Sequence, residues 1–369
     1  VRTTSEVLQN EGNPEVQQLL ERWQTRAKQG KLSLVCIVGC ESPVQMVADY
    51  AGIIGMEFAA YTGMDILKNR ILMNLENRRQ PTVDPKTSKS LVCYNFAKAP
   101  SSFDFLSWLV DAEMTRVRAN APSPLRVGFY WGAQTGPDDC LQTHTRRQMF
   151  ENVIKPSLKL IGAIEDPEAI EGHSSDCYSL APSAAHIAEG EKPVQFQASM
   201  EARKKIADYL GGKKPVVITL RETTYWPHRN SNIDEWTKFA EYLKQKGEEV
   251  IFLRDTRYAD EPLGEFTTYP EASKDLDLRT ALYEASKLNM FVGNGPWVIA
   301  LFGKSPWMMF AKPDIDDPCF PNTPAGFKYY AGLTTGEQYS WATPDQRIVW
   351  EADTYETMVE AWEAWQGNK

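Results

Sequence analysis

The sequence predicts an α/β protein made of two successive parallel-sheet units, each with helices on both faces. Short apolar runs without polar alternation, such as Leu34-Val-Cys-Ile-Val38 and Val216-Val-Ile-Thr219, have the composition of strands buried on both sides. Between them, apolar residues recur at helical spacing, as in Leu278, Ala281, Leu282, Ala285 and Leu288. The strand–helix rhythm occurs twice along 369 residues, a length that suits two domains.

Residues 1–30 read as a polar lead-in with one helix, Pro14 to Lys28. A strand over 31–39 precedes a helix with Ser42 as cap and Pro43 at its first position. Residues 68–90 are polar and proline-bearing, as expected of an exposed excursion. Strand 91–95 follows, then a helix over 103–119 whose Phe105, Leu106, Leu109, Val110 and Val117 approximate one face. Strand 125–131 leads through a polar loop into a helix over about 145–161, and 185–198 reads as an interdomain linker.

In the second half, Ser199 caps a helix over 200–210 that Gly211-Gly212 stops. Strand 215–220 precedes helix 233–246, which places Ile233, Trp236, Phe239, Ala240 and Leu243 together and ends at Gly247. Strand 249–253, a helix near 278–288, strand 289–292, a turn at 293–296, a short helix from Trp297 and strand 307–310 complete the pattern. Residues 311–350 read as irregular, and 355–365 as a closing helix. The expected boundaries are 1–190, 191–350 and a terminal segment 351–369.

The formal net charge of −9 argues against a uniformly basic nucleic-acid surface. Six cysteines form no C-x-x-C pair and several sit in apolar runs, so they read as small apolar residues in a reducing compartment. The four histidines show no metal-ligand spacing, and no metal site is expected. No apolar run reaches the ~20 residues that span a bilayer, and the first residues lack a signal core. The expectation is a cytoplasmic protein, with peripheral membrane contact left open.

Open α/β sheets bind ligands at the carboxyl ends of their strands, so the loops 221–232, 254–277 and 293–296 are the places to search. The first reads R-E-T-T-Y-W-P-H-R-N-S-N. Arg221 and Arg229 could grip phosphate oxygens, Asn230 and Ser231 a sugar, and Tyr225 or Trp226 could stack on a ring. The alternative is a surface loop in which Asn232 caps and the arginines pair with Glu222, Asp234 or Glu235. Asp255 and Thr256 end the next strand, where they face either a ribose or an Asx turn. Arg279 stands near a helix start, where a cation is disfavoured; its partner is then Asp275 or Asp277, or a phosphate. Asn294, Gly295 and Pro296 form a strand-to-helix turn whose amides suit an anion, or a turn that simply needs glycine. G-x-G-x-x-G and G-x-x-x-x-G-K-[ST] are both absent. Glu41, Asp138, His144 and Glu222 are candidate proton acceptors, unranked; the first three also read as cap or turn residues, and Glu222 as a surface partner of the arginines.

Several of these segments together resemble a known group. They are V-V-I-T-L-R, R-N-S-N opening a helix, R-D-T ending a strand, and L-D-L-R-T-A-L-Y-E-A-S-K-L-N-M-F-V-G-N-G-P. They are similar to bacterial proteins associated with surface-polysaccharide synthesis. More distantly they resemble the GT-B-fold glycosyltransferases, notably the α-1,6-fucosyltransferase and NodZ-like branch. F-D-F-L-S-W-L-V-D-A-E and L-R-V-G-F-Y-W-G extend the likeness into the first half, whereas the fucosyltransferase H-x-R-R-x-D signature is missing. The resemblance implies two Rossmann-like domains facing a cleft, a nucleotide-sugar donor in the second and a glycan or other hydroxyl acceptor in the first. It implies transfer without metal or further cofactor, with Arg221 and more loosely Arg229 on the donor diphosphate. It also implies a terminal helix that returns to the N-terminal domain. A nucleotide-sugar epimerase, a pyruvyl transferase and a non-catalytic nucleotide-sugar-binding or scaffold protein are the alternatives.

Overall fold

The computed structural model describes residues 90–96, 99–130, 146–166, 187, 191–224, 227–317 and 322–367. The chain divides into two compact units, one of Val1–Val83 with Asp314–Ala325, the other of Asp84–Pro313 with Gly326–Lys369. Both parallel sheets lie in the second unit. The elements expected before residue 90 and the loop at 132–139 fall outside the described residues. No described helix is long and apolar enough to cross a membrane.

The first sheet holds β1 (Leu91–Asn95), β2 (Arg126–Tyr130) and β3 (Ile164–Glu165), parallel and in that order. Helix α1 (Asp104–Arg118) links β1 to β2. Before β3, α2 (Arg146–Met149) runs through a π-helical stretch, Phe150–Ile154, into α3 (Lys155–Leu160). Helix α1 buries Phe105, Leu106, Leu109 and Val110, whereas Val117, expected on the same face, is 48% exposed. Aromatic side chains fill the space between helix and sheet. Tyr94 meets Phe105 edge-on at 4.8 Å, and Phe129 meets Phe150 at 4.9 Å, the arrangement ring quadrupoles favour.

The second sheet is six-stranded and parallel throughout, in the order β6-β5-β4-β7-β8-β9. Its strands are β4 (Val216–Thr219), β5 (Val250–Leu253), β6 (Thr267–Thr268), β7 (Leu288–Val292), β8 (Trp307–Phe310) and β9 (Gln346–Val349). The four inner strands are buried along their whole length, as their unalternating composition requires. Helices α4 (Met200–Leu210), α5 (Ile233–Gln245), α6 (Pro270–Lys274), α7 (Leu276–Ala285) and α8 (Trp297–Leu301) connect the strands. Ser199 caps α4 through Ala202 N–H at 3.1 Å, and Gly211 ends it at φ 56°, as the sequence requires. The region 311–350, expected to be irregular, contains α9 (Pro324–Ala331) and β9. β9 is short and half-buried, so it lacks the apolar signature of an inner strand.

The two faces of this sheet have different neighbours. On one, Val216, Ile218, Phe252 and Met308 pack with Trp236, Phe239 and Leu243 of α5 and with Met358, Trp362 and Trp365 of α10 (Tyr355–Gly367). Among the described residues, the terminal helix packs on the C-terminal sheet. Asp353 ties its approach to α5: its Oδ2 accepts from Asn232 N–H at 2.9 Å and Trp236 Nε1–H at 2.8 Å. Asn232, the expected cap, makes no capping bond with its own side chain.

On the other face, Val217, Phe291 and Met309 share a core with α7, α8 and the aromatic cluster of the first sheet. Within the segment expected as a linker, 185–198, Phe196 and Ala198 are buried in this shared core, whereas Lys192 and Gln197 are exposed. Phe196 N–H donates to Phe302 O at 2.9 Å and Gln197 N–H to Leu160 O at 2.8 Å, which joins the two sheets' surroundings. Truncating Trp362→Ala should cost about 3–5 kcal/mol in chemical denaturation, the range for a core aromatic. A loss below about 1 kcal/mol would place α10 outside the sheet's core.

Candidate functional site

The order of the second sheet reverses between β4 and β7. The chain builds outward from β4 through β5 to β6, then returns across β4 to continue with β7, β8 and β9. Loops leaving the carboxyl ends of two such strands diverge and leave a crevice, where open α/β sheets bind ligands. The R-E-T-T-Y-W-P-H-R-N-S-N loop leaves β4, and the Gly293–Pro296 turn leaves β7. The two segments marked out by the sequence thus flank the topological switch point.

The β4 loop spends much of its hydrogen-bonding capacity on itself. Arg221 N–H donates to Ser231 Oγ at 2.9 Å and Ser231 N–H to Arg221 O at 3.0 Å. Thr223 N–H donates to Asn230 Oδ1 at 3.1 Å, and Asn230 Nδ2–H to Thr223 O at 2.9 Å. Arg221 Nη1–H adds a 2.6 Å bond to the same Asn230 oxygen. Asn230 and Ser231, expected on a sugar, here close the neck of the loop. Tyr225 and Trp226 lie outside the described residues. The short 3-10 turn Pro227–Arg229 leads back to the neck. From it, Arg229 Nη2–H reaches across the switch point to Gly293 O at 3.2 Å.

On the β7 side, Asn294 Oδ1 accepts from Trp297 N–H at 3.1 Å and its Nδ2–H approaches Thr219 O at 3.4 Å. Asn294 is thus an Asx-type cap that also ties the turn to β4. Pro296 precedes the first turn of α8 in helical conformation. Gly295 is needed for a reason the sequence did not disclose. A Cβ there would stand 2.6 Å from Phe103 Cδ2 and 2.9 Å from Phe103 Cβ, so the ring of Phe103, not a ligand, occupies that space.

Phe103 brings the carboxyl end of β1 to the switch point, and with it Asp104, the first residue of α1. Ser102 Oγ–H donates to Asp104 Oδ2 at 2.9 Å, and Asp104 N–H donates to Ser102 Oγ at 3.2 Å. Part of Asp104 remains accessible, but the protein around it strips enough water to push its pKa up to about 6. The Ser102 bond and the charge of Arg229 oppose that rise without cancelling it. Sequence reasoning missed Asp104 because it searched other loops of the first half. The available signal was S-S-F-D-F, a serine and an acid opening a helix after a predicted strand.

The remaining expected residues have other partners. Glu222, a candidate proton acceptor, is buried in an ion pair with Arg254, with Nη2–Oε1 at 2.5 Å and Nε–Oε2 at 3.0 Å. Arg254 also donates to the carbonyls of Glu261 and Pro262. Asp255 accepts from Arg257 N–H at 3.4 Å, the Asx-turn alternative, and Thr256 Oγ1–H donates to Ser273 O at 3.2 Å. Arg279 is buried and donates to Ala272 O at 2.8 Å and Ser273 O at 3.0 Å. Its cation thus sits on the carbonyl end of α6, which is favourable, and among the described residues neither Asp275 nor Asp277 pairs with it. Asp275 instead caps α7 through Asp277 N–H and Leu278 N–H. Glu41, Asp138 and His144 lie outside the described residues.

No family model matches the chain, and no curated protein matches it. Among solved structures, it is similar to the ADP-heptose lipopolysaccharide heptosyltransferase II of E. coli. Identity is 11% over 73% of this chain and 76% of that one, with a TM-score of 0.36. It is also similar to a family 9 glycosyl transferase from Veillonella parvula, with 8% identity over 76% of this chain and 99% of that one and a TM-score of 0.41.

Two outcomes test the geometry. Gly295→Ala should destabilise by ~1–3 kcal/mol, and adding Phe103→Ala should make the double variant less destabilised than the sum of the two single changes. Strict additivity in a denaturation cycle would deny the contact. Asp104 has a folded pKa near 6 against an ordinary 3.8, so its contribution to stability is present below pH 4 and lost as pH rises to about 6. Asp104→Asn should therefore gain more in Tm at pH 7–8 than at pH 4. An equal shift at both would show that the carboxyl is not desolvated.

Proposed function

We propose that this chain is a glycosyltransferase. In this reading it moves a sugar from a nucleoside-diphosphate donor to a hydroxyl acceptor, in the synthesis of surface polysaccharide or another glycan. The observation that carries the reading is Arg229, held by a closed loop and reaching from the end of β4 to Gly293 at the end of β7. A guanidinium at a topological switch point suits an anionic group, since its fork matches phosphate oxygens. Arg221, at the base of the same loop, supplies a second cation.

The chemistry asks for such charges. As the bond from the anomeric carbon to the β-phosphate oxygen breaks, the electron pair stays with the nucleoside diphosphate. Guanidinium groups fixed where that charge grows lower the barrier without reorganising. The donor is a substrate, and the reading requires no further cofactor.

Thermal-shift measurements against UDP, GDP, ADP and their sugars should find one nucleotide that stabilises the protein. A charge-assisted bond contributes ~1.5–3 kcal/mol, so Arg229→Ala should weaken that nucleotide by roughly tenfold to a hundredfold. The exposed Arg257→Ala should leave affinity unchanged. Retained affinity in Arg229→Ala would return that arginine to a structural role, and no response to any nucleotide would remove the transferase reading.

A further inference from the structure

Transfer to a hydroxyl needs a group that removes its proton, and the described carboxylates near the switch point are not equivalent. Glu222 is closed onto Arg254 in a buried ion pair. Asp104 uses one oxygen on the Ser102 hydroxyl, and its Oδ1 has no hydrogen bond among the described residues. It belongs to the carboxyl end of the first sheet, where the reading above, taken with the GT-B resemblance, seats the acceptor. Phe103 beside it closes on Gly295, at the carboxyl end of the second sheet, where that reading seats the donor. Among the described residues, Arg229 is the charge that acts on it, because the segment 293–302 that packs toward α1 has no ionisable side chain.

We propose that Asp104 is the proton acceptor of the transfer, taking the hydrogen of the acceptor hydroxyl as that oxygen attacks the donor's anomeric carbon. This rests on the transferase reading. The acceptor O–H bond breaks and its proton goes to Asp104 Oδ1. The new bond joins the acceptor oxygen to the anomeric carbon, and the bond to the β-phosphate oxygen breaks with its electron pair. The nucleoside diphosphate leaves with the added negative charge facing Arg229, and Asp104 returns the proton to solvent. The position has a further consequence. A diphosphate that arrives at Arg229 offsets the charge that keeps Asp104 ionised, so Asp104 becomes a stronger base once the donor is bound.

The test uses the full chain with UDP-, GDP- and ADP-sugars and water as acceptor, with free nucleoside diphosphate as the readout. The kcat/KM for hydrolysis of the stabilising donor should rise with pH through about 6 and level off, and kcat should rise at a higher pH, because the bound diphosphate offsets Arg229. Asp104→Asn should lower that rate by about 10²–10⁴-fold, with donor affinity unchanged or tighter and partial recovery in Asp104→Glu. Turnover within tenfold of wild type would overturn the assignment. So would a parallel loss of donor binding, or an equal loss in Glu41→Gln with Asp104→Asn active. Where the donor binds without detectable hydrolysis, calorimetry at pH 6.5 in buffers of different ionisation enthalpy decides. Wild type should take up a fraction of a proton that Asp104→Asn does not, and no uptake overturns the proposal. Failure of every nucleotide to bind is a distinct result, because it removes the transferase reading itself.

Discussion

The candidate site depends on the closed neck of the loop after β4. A connection of this length would be costly to order if each backbone group bonded only to water. Here the ladder is made by side chains. Asn230 offers Thr223 an acceptor and a donor, as a strand would, and Ser231 and Arg221 exchange bonds below it. Asparagine and serine are suited to this because their short polar side chains imitate backbone groups. The entropy is therefore lost on folding and not on binding. Arg229 emerges beside the neck, already aimed across the crevice, and a guanidinium held this way loses less freedom when an anion arrives.

A second constraint makes that crevice part of a larger site. The outer face of the second sheet is covered by α5 and α10, so its other face is the one open to the first sheet. The shared core, with Phe196 and Ala198 inside it, fixes the two sheets against each other through side-chain packing. Phe103 then closes on Gly295, and the carboxyl end of β1 arrives beside the carboxyl ends of β4 and β7. A side chain at 295 would need the ring to move, and interiors packed to crystal density give little room. The glycine thus sets how near α1 comes to Arg229.

Much of the second sheet was legible because its strands and helices have opposite, strong periodicities. Val216–Thr219 and Val250–Leu253 are buried throughout, and Trp236, Phe239, Ala240 and Leu243 fall on one buried face as read. β6 and β9 were missed because edge strands of two or four half-buried residues carry no such pattern. The position of α10 was not legible either. An amphipathic helix declares that it packs, not on what, and here Trp362 and Trp365 meet the second sheet. At the site, sequence located the loops but not how their residues divide the work. Asn230 and Ser231 read as ligand groups from residue type, and the bonds they make within their own loop are not visible in residue type alone. Asp104 was overlooked because the charge acting on it, Arg229, lies more than a hundred residues away in the chain.

The two acid–arginine associations show what separates a structural pair from one with capacity to spare. Glu222 and Arg254 touch through two oxygens in a dry setting, and Arg254 binds two carbonyls besides. Removing one partner would strand a buried charge at ~3–5 kcal/mol, so that pair fixes the loops after β4 and β5. Asp104 feels Arg229 only as a charge through space, weakly enough that desolvation still dominates its titration. Its acid is therefore neither neutralised by a partner nor fully hydrated. A carboxylate in that intermediate condition responds to any new anion nearby, whereas a closed pair does not. Residue composition is the same in the two cases, an acid and an arginine, but only Glu222 and Arg254 make direct contact.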